Sequence, residues 1–315
     1  MTLAFTFPGQ GSQAVGMGKE LADTYTEAKA VFEEVDEALG EKLSSTIFDG
    51  PIETLTLTAN AQPALMAVSV AIVRVLEAKG FVLGDKVSYV AGHSLGEYAA
   101  HAAVGTFTLA DTARLLRIRG NAMQAAVPVG VGAMAAIIGL EDEVVKSICA
   151  DAGSAKDGVC QIANDNGGGQ LVISGSKDAV ETAADAAKEA GAKRALILPV
   201  SAPFHCALMQ PAADAMAEAL SQVKSNTPAV AVVTNVNVAA ESDPATLIDL
   251  LVKQVTGQVR WRETVEWFST NGVTELAEVG AGKVLTGLAR RIDRELSGVA
   301  INTPADIDSF LESHA

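Results

Sequence analysis

Gly92-His93-Ser94-Leu95-Gly96 constrains this chain more than any other stretch. A short apolar run, Val87-Ser88-Tyr89-Val90-Ala91, precedes it, and a helix-compatible run, Glu97-Tyr98-Ala99-Ala100-His101-Ala102-Ala103, follows. Alone, a Gly-x-Ser-x-Gly pattern marks an ordinary turn more often than a catalytic one. Set between a strand and a helix, it predicts a nucleophile elbow. The glycines permit the sharp turn because no Cβ crowds its inner side, and the serine is thrust into a cleft at a helix N-terminus. That context points to an acyl-transfer enzyme.

Strand-like and helix-like segments alternate along most of the 315 residues. The opening predicts a strand over 3–7, a Gly-rich loop over 8–16 and a helix over 17–39. A helix over 60–79 stops at Gly80, and another spans 109–126 after the elbow helix. Such alternation implies a mostly parallel sheet with helices on both faces. From about 129 the order changes to strand 132–139, helix 141–151, strands 159–164 and 170–174, helix 177–189 and strand 193–200. This is the β-α-β-β-α-β order of ferredoxin-like units, with Gly167-Gly168-Gly169 turning between the two middle strands. The chain then returns through Pro203-Phe204-His205, a helix over 211–223, a strand over 230–235 and a helix over 244–254. The last core elements expected are a strand over 274–279 and a helix over 283–292, joined by Gly280-Ala281-Gly282. The fold class expected is therefore α/β. Residues 1–128 and 200–315 form a large α/β-hydrolase-like domain with a mostly parallel sheet, and 129–199 an inserted ferredoxin-like subdomain.

With 49% apolar residues the chain can bury a large core. Only 4% of residues are aromatic and the formal charge is -15, which argues against nucleic acid as a partner. No membrane span is expected, because Arg74, Glu77 and Lys79 interrupt the most apolar helical windows. Cys149, Cys160 and Cys206 are spaced for neither a metal site nor a disulfide framework, and they fit a reducing, cytoplasmic compartment. Cys206 is expected to fill a small buried space.

A serine hydroxyl is a poor nucleophile until a base takes its proton. Of the four histidines, His93 adjoins Ser94 on a tight turn whose neighbours point apart, and His101 lies in the following helix. His314 falls in a C-terminus expected to fray. His205 remains, where the inserted segment rejoins the large domain and a cleft should lie; the residues alone leave it either a base or a structural histidine. Candidate oxyanion donors are the backbone of Leu95 and the Gly9-Gln10-Gly11 loop, and losing one such donor costs about 3 kcal/mol. Arg119 lies in Leu115-Leu116-Arg117-Ile118-Arg119-Gly120-Asn121, beside an apolar stripe. It either meets solvent or points into a cavity as a two-pronged partner for a carboxylate.

These residues belong to a wider pattern. In order come Phe7-Pro8-Gly9-Gln10-Gly11-Ser12-Gln13, Ala59-Asn60-Ala61-Gln62-Pro63-Ala64, the elbow with Glu97, Arg119-Gly120, Phe204-His205, Thr234-Asn235-Val236 and Glu278-Val279-Gly280-Ala281-Gly282-Lys283-Val284-Leu285. Over nearly its whole length the chain resembles the malonyl-CoA:acyl carrier protein transacylases, the acyltransferase family of fatty acid synthesis that also supplies polyketide synthase acyltransferase domains.

The resemblance implies that Ser94 is the nucleophile, His205 its base and Arg119 the holder of the malonyl carboxylate. It places the oxyanion hole on the backbone amides of Gln10 and Leu95, and Gln62 and Asn164 along the cleft. In this family a backbone carbonyl orients the histidine in place of an aspartate. The match Leu251-Val252-Lys253-Gln254 assigns it to Gln254, with Gln258 the nearby alternative. The implied reaction is ping-pong, from malonyl-CoA to the phosphopantetheine thiol of acyl carrier protein, with no metal or redox cofactor bound. The partners are thus malonyl-CoA and the carrier, with no nucleic acid and no membrane, and a monomer suffices. Phe204 resembles the bulky residues that accompany resistance to branched acyl groups. Lys283, Arg290, Arg291 and Arg294, or Lys193 and Arg194, are candidate docking clusters for an acidic carrier. The rival readings are a serine thioesterase or hydrolase and a non-catalytic acyl-carrier-binding protein.

Overall fold

The computed structural model describes residues 2–200 and 202–314; Met1, Ser201 and Ala315 lie outside the described residues. Among the described residues, ten strands form two sheets. The first contains β1 (Leu3–Phe7), β2 (Tyr89–Gly92), β7 (Val232–Val233), β8 (Ala240–Glu241), β9 (Glu275–Val279) and β10 (Ser297–Ile301), in the order β10-β9-β1-β2-β7-β8. All its pairs are parallel except β7 with β8. The centre is buried on both faces, as parallel strands require, and every residue of β1 and β9 is buried.

The second sheet contains β3 (Gly132–Ile138), β4 (Cys160–Asp165), β5 (Gln170–Ser176) and β6 (Arg194–Ile197), antiparallel in the order β4-β5-β3-β6. With the helices Asp142–Ala155 and Lys177–Glu189 it has the ferredoxin-like topology. Its strands alternate between two environments. Ala135, Ile137, Leu171 and Ile173 pack under the two helices, while Met134, Ala163 and Val172 meet Leu198, Val200 and Phe204 on the other face. The Gly167-Gly168-Gly169 turn has φ of 75°, 59° and 70°, a left-handed run that glycine alone adopts without strain. The smaller sheet is tied to the rest of the chain where Val259, outside both sheets, pairs with Asn164, its N–H donating to the Ala163 carbonyl.

The structure departs from the sequence expectations in several places. The helix expected over 17–39 is two helices, Lys19–Thr24 and Thr26–Leu39, separated by Tyr25 in an extended conformation. The strand expected over 230–235 is only Val232–Val233, because Asn235 leaves the ladder toward the elbow. The chain does not run out of core elements at 292. β10 adds to the sheet, and helix Pro304–Ser313, closed by a capping box at Thr303 and Asp306, buries Ile307 and Phe310. His314 is likewise not frayed: its ring stacks on Phe310 at 4.1 Å, and Nε2 lies 3.0 Å from the Glu275 carboxylate. Helix Thr58–Ala78 is long and apolar enough to cross a membrane, yet 83% of its apolar window is buried within the protein, where it is a core helix. All three cysteines are free and buried, and Cys206 donates to the Pro203 carbonyl.

Candidate active site

The carboxyl ends of β1 and β2 lie side by side, with Phe7 opposite Gly92, so the Gly9–Gly11 loop and the elbow emerge together from the sheet. Ser94 has φ 54° and ψ -112°, a conformation that costs a side-chain-bearing residue roughly 1–3 kcal/mol. Close packing enforces it. A Cβ on Gly92 would stand 1.9 Å from the Gly96 carbonyl carbon, and one on Gly96 2.2 Å from the Phe7 oxygen. Asn235 clamps the turn: Oδ1 accepts from Ser94 N–H at 2.8 Å and Nδ2 donates to the Gly92 carbonyl at 2.6 Å.

Ser94 Oγ is 2.7 Å from His205 Nε2. The other ring nitrogen, Nδ1, is 2.9 Å from the Gln254 carbonyl and 3.1 Å from that of Gly257. Carbonyl oxygens only accept, so Nδ1 carries the hydrogen and Nε2 presents its lone pair to the serine. Burial, with the Arg119 charge adding to it, pushes His205 down to about 3, so the ring is neutral at physiological pH. No carboxylate contacts the imidazole among the described residues. The Gln258 carbonyl makes no bond to it either.

Arg119 is 1% exposed, which removes the solvent alternative. Nη1 donates to Gln62 Oε1 at 2.8 Å, and Nη2 to Gln254 Oε1 at 2.9 Å and to Ser94 Oγ at 3.2 Å. Its guanidinium carbon lies 5.5 Å from the Tyr98 ring centre. Among the described residues it forms no ion pair, and Nε has no partner. A buried guanidinium held by neutral amides is a receptor for an incoming carboxylate, since its own countercharge is not in direct contact.

A cavity of about 400 Å³ opens between the two sheets, lined by Gln10, Gln62, Ser94, Arg119, Asn164 and His205 among others. Leu95 also lines it, and as the first residue of helix Leu95–Ala103 its N–H is one of that helix's open donors. Phe204, Met134, Val172, Leu198 and Val200 form the apolar wall. His93 is turned from the serine to Asn166, with Nε2 2.9 Å from Oδ1, and also borders the cavity. His101 is buried away from it against Thr106.

Several residues of the site escaped sequence reasoning. Asn235 was visible only as the middle of a matched block, and the Gly257 carbonyl left no side-chain signal. Glu97 and Tyr98 stood out only as part of a helix-compatible run, yet both are fully buried beside Arg119. Of the basic clusters, Arg291 links helix Val284–Ile292 to β5 by donating to Gln170 Oε1 at 3.2 Å, and Lys193 packs beside Gly139.

Residues 4–290 match the acyl transferase domain family. The chain is 48% identical over 308 residues to the malonyl CoA-acyl carrier protein transacylase of Salmonella typhimurium, with 98% of each covered. It is 43% identical over 311 residues to that of Bacillus subtilis, covering 99% of this chain and 96% of the relative. Among solved structures, an acyl-carrier-protein-S-malonyltransferase from Bartonella henselae superposes with a TM-score of 0.97 at 61% identity over 99% of both chains. A malonyl-transacylase in complex with its type II PKS acyl-carrier protein superposes with a TM-score of 0.95 at 45% identity, over 99% of this chain and 100% of that one. With the elbow, the histidine and the buried arginine in one cleft, the chain belongs to the acyl transferase family and, within it, to the malonyl-CoA:acyl carrier protein transacylases.

Proposed function

We propose that this enzyme transfers malonyl from malonyl-CoA to the phosphopantetheine thiol of acyl carrier protein, with Ser94 as nucleophile, His205 as base and Arg119 as carboxylate anchor. The single observation that carries the residue assignment is that Ser94 Oγ lies within hydrogen-bond reach of both His205 Nε2 and Arg119 Nη2. As Oγ attacks the thioester carbon, its proton passes to Nε2. The oxyanion forms at the backbone N–H groups of Gln10 and Leu95. Collapse breaks the C–S bond, the proton on Nε2 leaves with the CoA thiol, and malonyl remains esterified to Ser94. The carrier thiol then gives its proton to Nε2 and attacks the ester, and Ser94 leaves with that proton.

Gln62 and Gln254 hold the guanidinium in place, and Asn164 borders the acyl pocket. Phe204 places a bulky ring in the apolar wall, which supports a preference for unbranched malonyl. Ser94, His205 and Arg119 meet within one chain, so a monomer suffices for this chemistry, and three free cysteines fit a cytoplasmic setting.

Intact mass after exposure to malonyl-CoA tests this. The wild-type chain should gain one malonyl group that persists in water and discharges onto carrier, and Ser94→Ala should gain none. An adduct on Ser94→Ala removes the serine from its role. Rapid loss to water without carrier would indicate a hydrolase.

A further inference from the structure

Glu97 is a carboxylate with no exposed surface, three residues after Ser94 on the elbow helix. Its Oε2 accepts from Gln254 Nε2 at 2.9 Å and from the Asn235 N–H at 3.0 Å, while Oε1 has no partner among the described residues. Gln254 stands between this acid and the buried guanidinium, because its Oε1 accepts from Arg119 at 2.9 Å. A buried acid and base so placed ordinarily pair directly, which would occupy the guanidinium. Here a neutral amide separates them. A carboxylate only accepts, so it turns the NH₂ end of Gln254 toward itself and the carbonyl end toward Arg119.

We propose that Glu97 is a positioning residue for the reaction: through the Gln254 carboxamide it supplies the countercharge of Arg119 at one remove, and it couples binding of the acyl carboxylate to its own proton. The proposal rests on Arg119 being the carboxylate anchor. An acyl carboxylate at Arg119 brings a second negative charge to the cluster, so Glu97 holds its proton more tightly once malonyl is bound. Reciprocally, malonyl binds less well once Glu97 is ionised. Burial pushes the Glu97 carboxyl up to about 7, against the pull of its bonds to Gln254 and Asn235 and of the Arg119 charge.

Other charged or titratable groups flank it. Arg119 faces it from helix Leu109–Ala125, and Tyr98 lies beside it with a hydroxyl pushed well up by burial. Helix Pro244–Thr256 presents Gln254, and the loop after β7 presents Asn235. β1 and the buried face of helix Thr58–Ala78 carry no titratable group, and Tyr89 of β2 packs on Trp267. His205 and His93, in the same cleft, are both lowered by burial.

The test follows formation of the covalent Ser94 adduct with malonyl-N-acetylcysteamine thioester, which lacks the ionisable phosphates of CoA. From about pH 6 to about pH 8.5 the half-saturating concentration should rise about tenfold in the wild-type chain, the size of one pKa unit of coupling. It should stay flat in Glu97→Gln, and flat in both chains with the acetyl thioester. A flat wild-type profile overturns the proposal, as does a rise that persists in Glu97→Gln or appears equally with acetyl. The wild-type profile decides the matter even if the variant does not fold. Arg119→Ala, measured alongside, separates the two assignments: an unchanged preference for malonyl over acetyl there overturns the anchor itself.

Discussion

Ser94 Oγ and His205 Nε2 stand 2.7 Å apart, and main-chain carbonyls alone orient the far side of the imidazole. The base is therefore tuned by burial and by a neighbouring cation, both of which favour the neutral ring and hold it at about 3, far below the usual 6.5. Adduct formation with an acetyl thioester should accordingly be flat from about pH 5 to about pH 8. An acid limb centred near the ordinary histidine value would contradict this. His205→Ala should slow adduct formation by about 10²–10⁴, the range for loss of a general base.

Arg119 should set acyl preference. Arg119→Ala is expected to lower kcat/KM for malonyl-CoA by about 10²-fold, near the worth of charge-assisted hydrogen bonds, and to spare acetyl-CoA relatively. Arg119→Lys should not restore it. One ammonium cannot reproduce the guanidinium fork that spans Gln62, Gln254 and Ser94. Parallel losses for both acyl groups in Arg119→Ala would count against a carboxylate role.

Two glycine substitutions should act in opposite directions. A Cβ at Gly96 meets the backbone of Phe7 and Pro8, which cannot move without shifting the elbow, so Gly96→Ala should cost several kcal/mol or prevent folding. Gly287 lies exposed within helix Val284–Ile292 with open space around its Cβ position, so Gly287→Ala should stabilise by about 0.5–1 kcal/mol. Thermal melts of the two variants check the contrast.

Why was so much of this legible in the sequence? The elbow depends on local steric need, and Gly-His-Ser-Leu-Gly between a strand and a helix states that need directly. The parallel sheet and the ferredoxin-like unit follow from element order, which the alternation of apolar runs records. What the sequence did not display is side-chain direction at long range. Arg119 could equally have faced solvent until its helix was seen packed against the core, and nothing next to Glu97 in the chain marks it as buried. The shortened β7 was hidden for a similar reason: Asn235 leaves its strand to bond a turn 143 residues earlier in the chain. The tail was misjudged because β10 and the final helix are held by partners such as Glu275 and the sheet edge, which local propensity does not reveal.

Acid stability should trace to His101 as well as to the site. Burial pushes His101 down from 6.5 to about 3, so below pH 6.5 the unfolded chain takes up a proton that the folded chain refuses. Stability therefore falls as pH drops from about 6.5 toward 3, by about 1.4 kcal/mol per pH unit for this group. Glu97, raised by burial, works in the opposite sense between about 4.5 and 7. Comparison with His101→Leu isolates the histidine. That variant should lose about 1 kcal/mol at pH 7 with its bond to Thr106, yet lose about 2 kcal/mol less than the wild-type chain on going to about pH 5. Equal losses in urea titrations at the two pH values would refute the assignment.

The carrier should dock along helix Val284–Ile292. Lys283, Arg290 and Arg291 are exposed there. The Cβ position of the adjoining Gly282 lies 3.7 Å from Ser12, in the loop whose Gln10 and Gln13 line the cavity. At the other end of the helix, Ile292 and Arg291 abut Gly167 and Gly168 in the turn between β4 and β5. A basic row thus runs beside the cleft of an otherwise acidic protein, which suits an acidic carrier that must present its thiol to Ser94. Reversing two charges, as Arg290→Glu with Arg291→Glu, should raise KM for carrier about tenfold at low salt and less at high salt, where exposed charges are screened. Adduct formation from malonyl-N-acetylcysteamine thioester should be unchanged, because that half-reaction involves neither the carrier nor the phosphates of CoA. The same reversal at Lys193 and Arg194 is the control: if that pair produces the carrier defect and the helix pair does not, docking belongs to the edge of the smaller sheet.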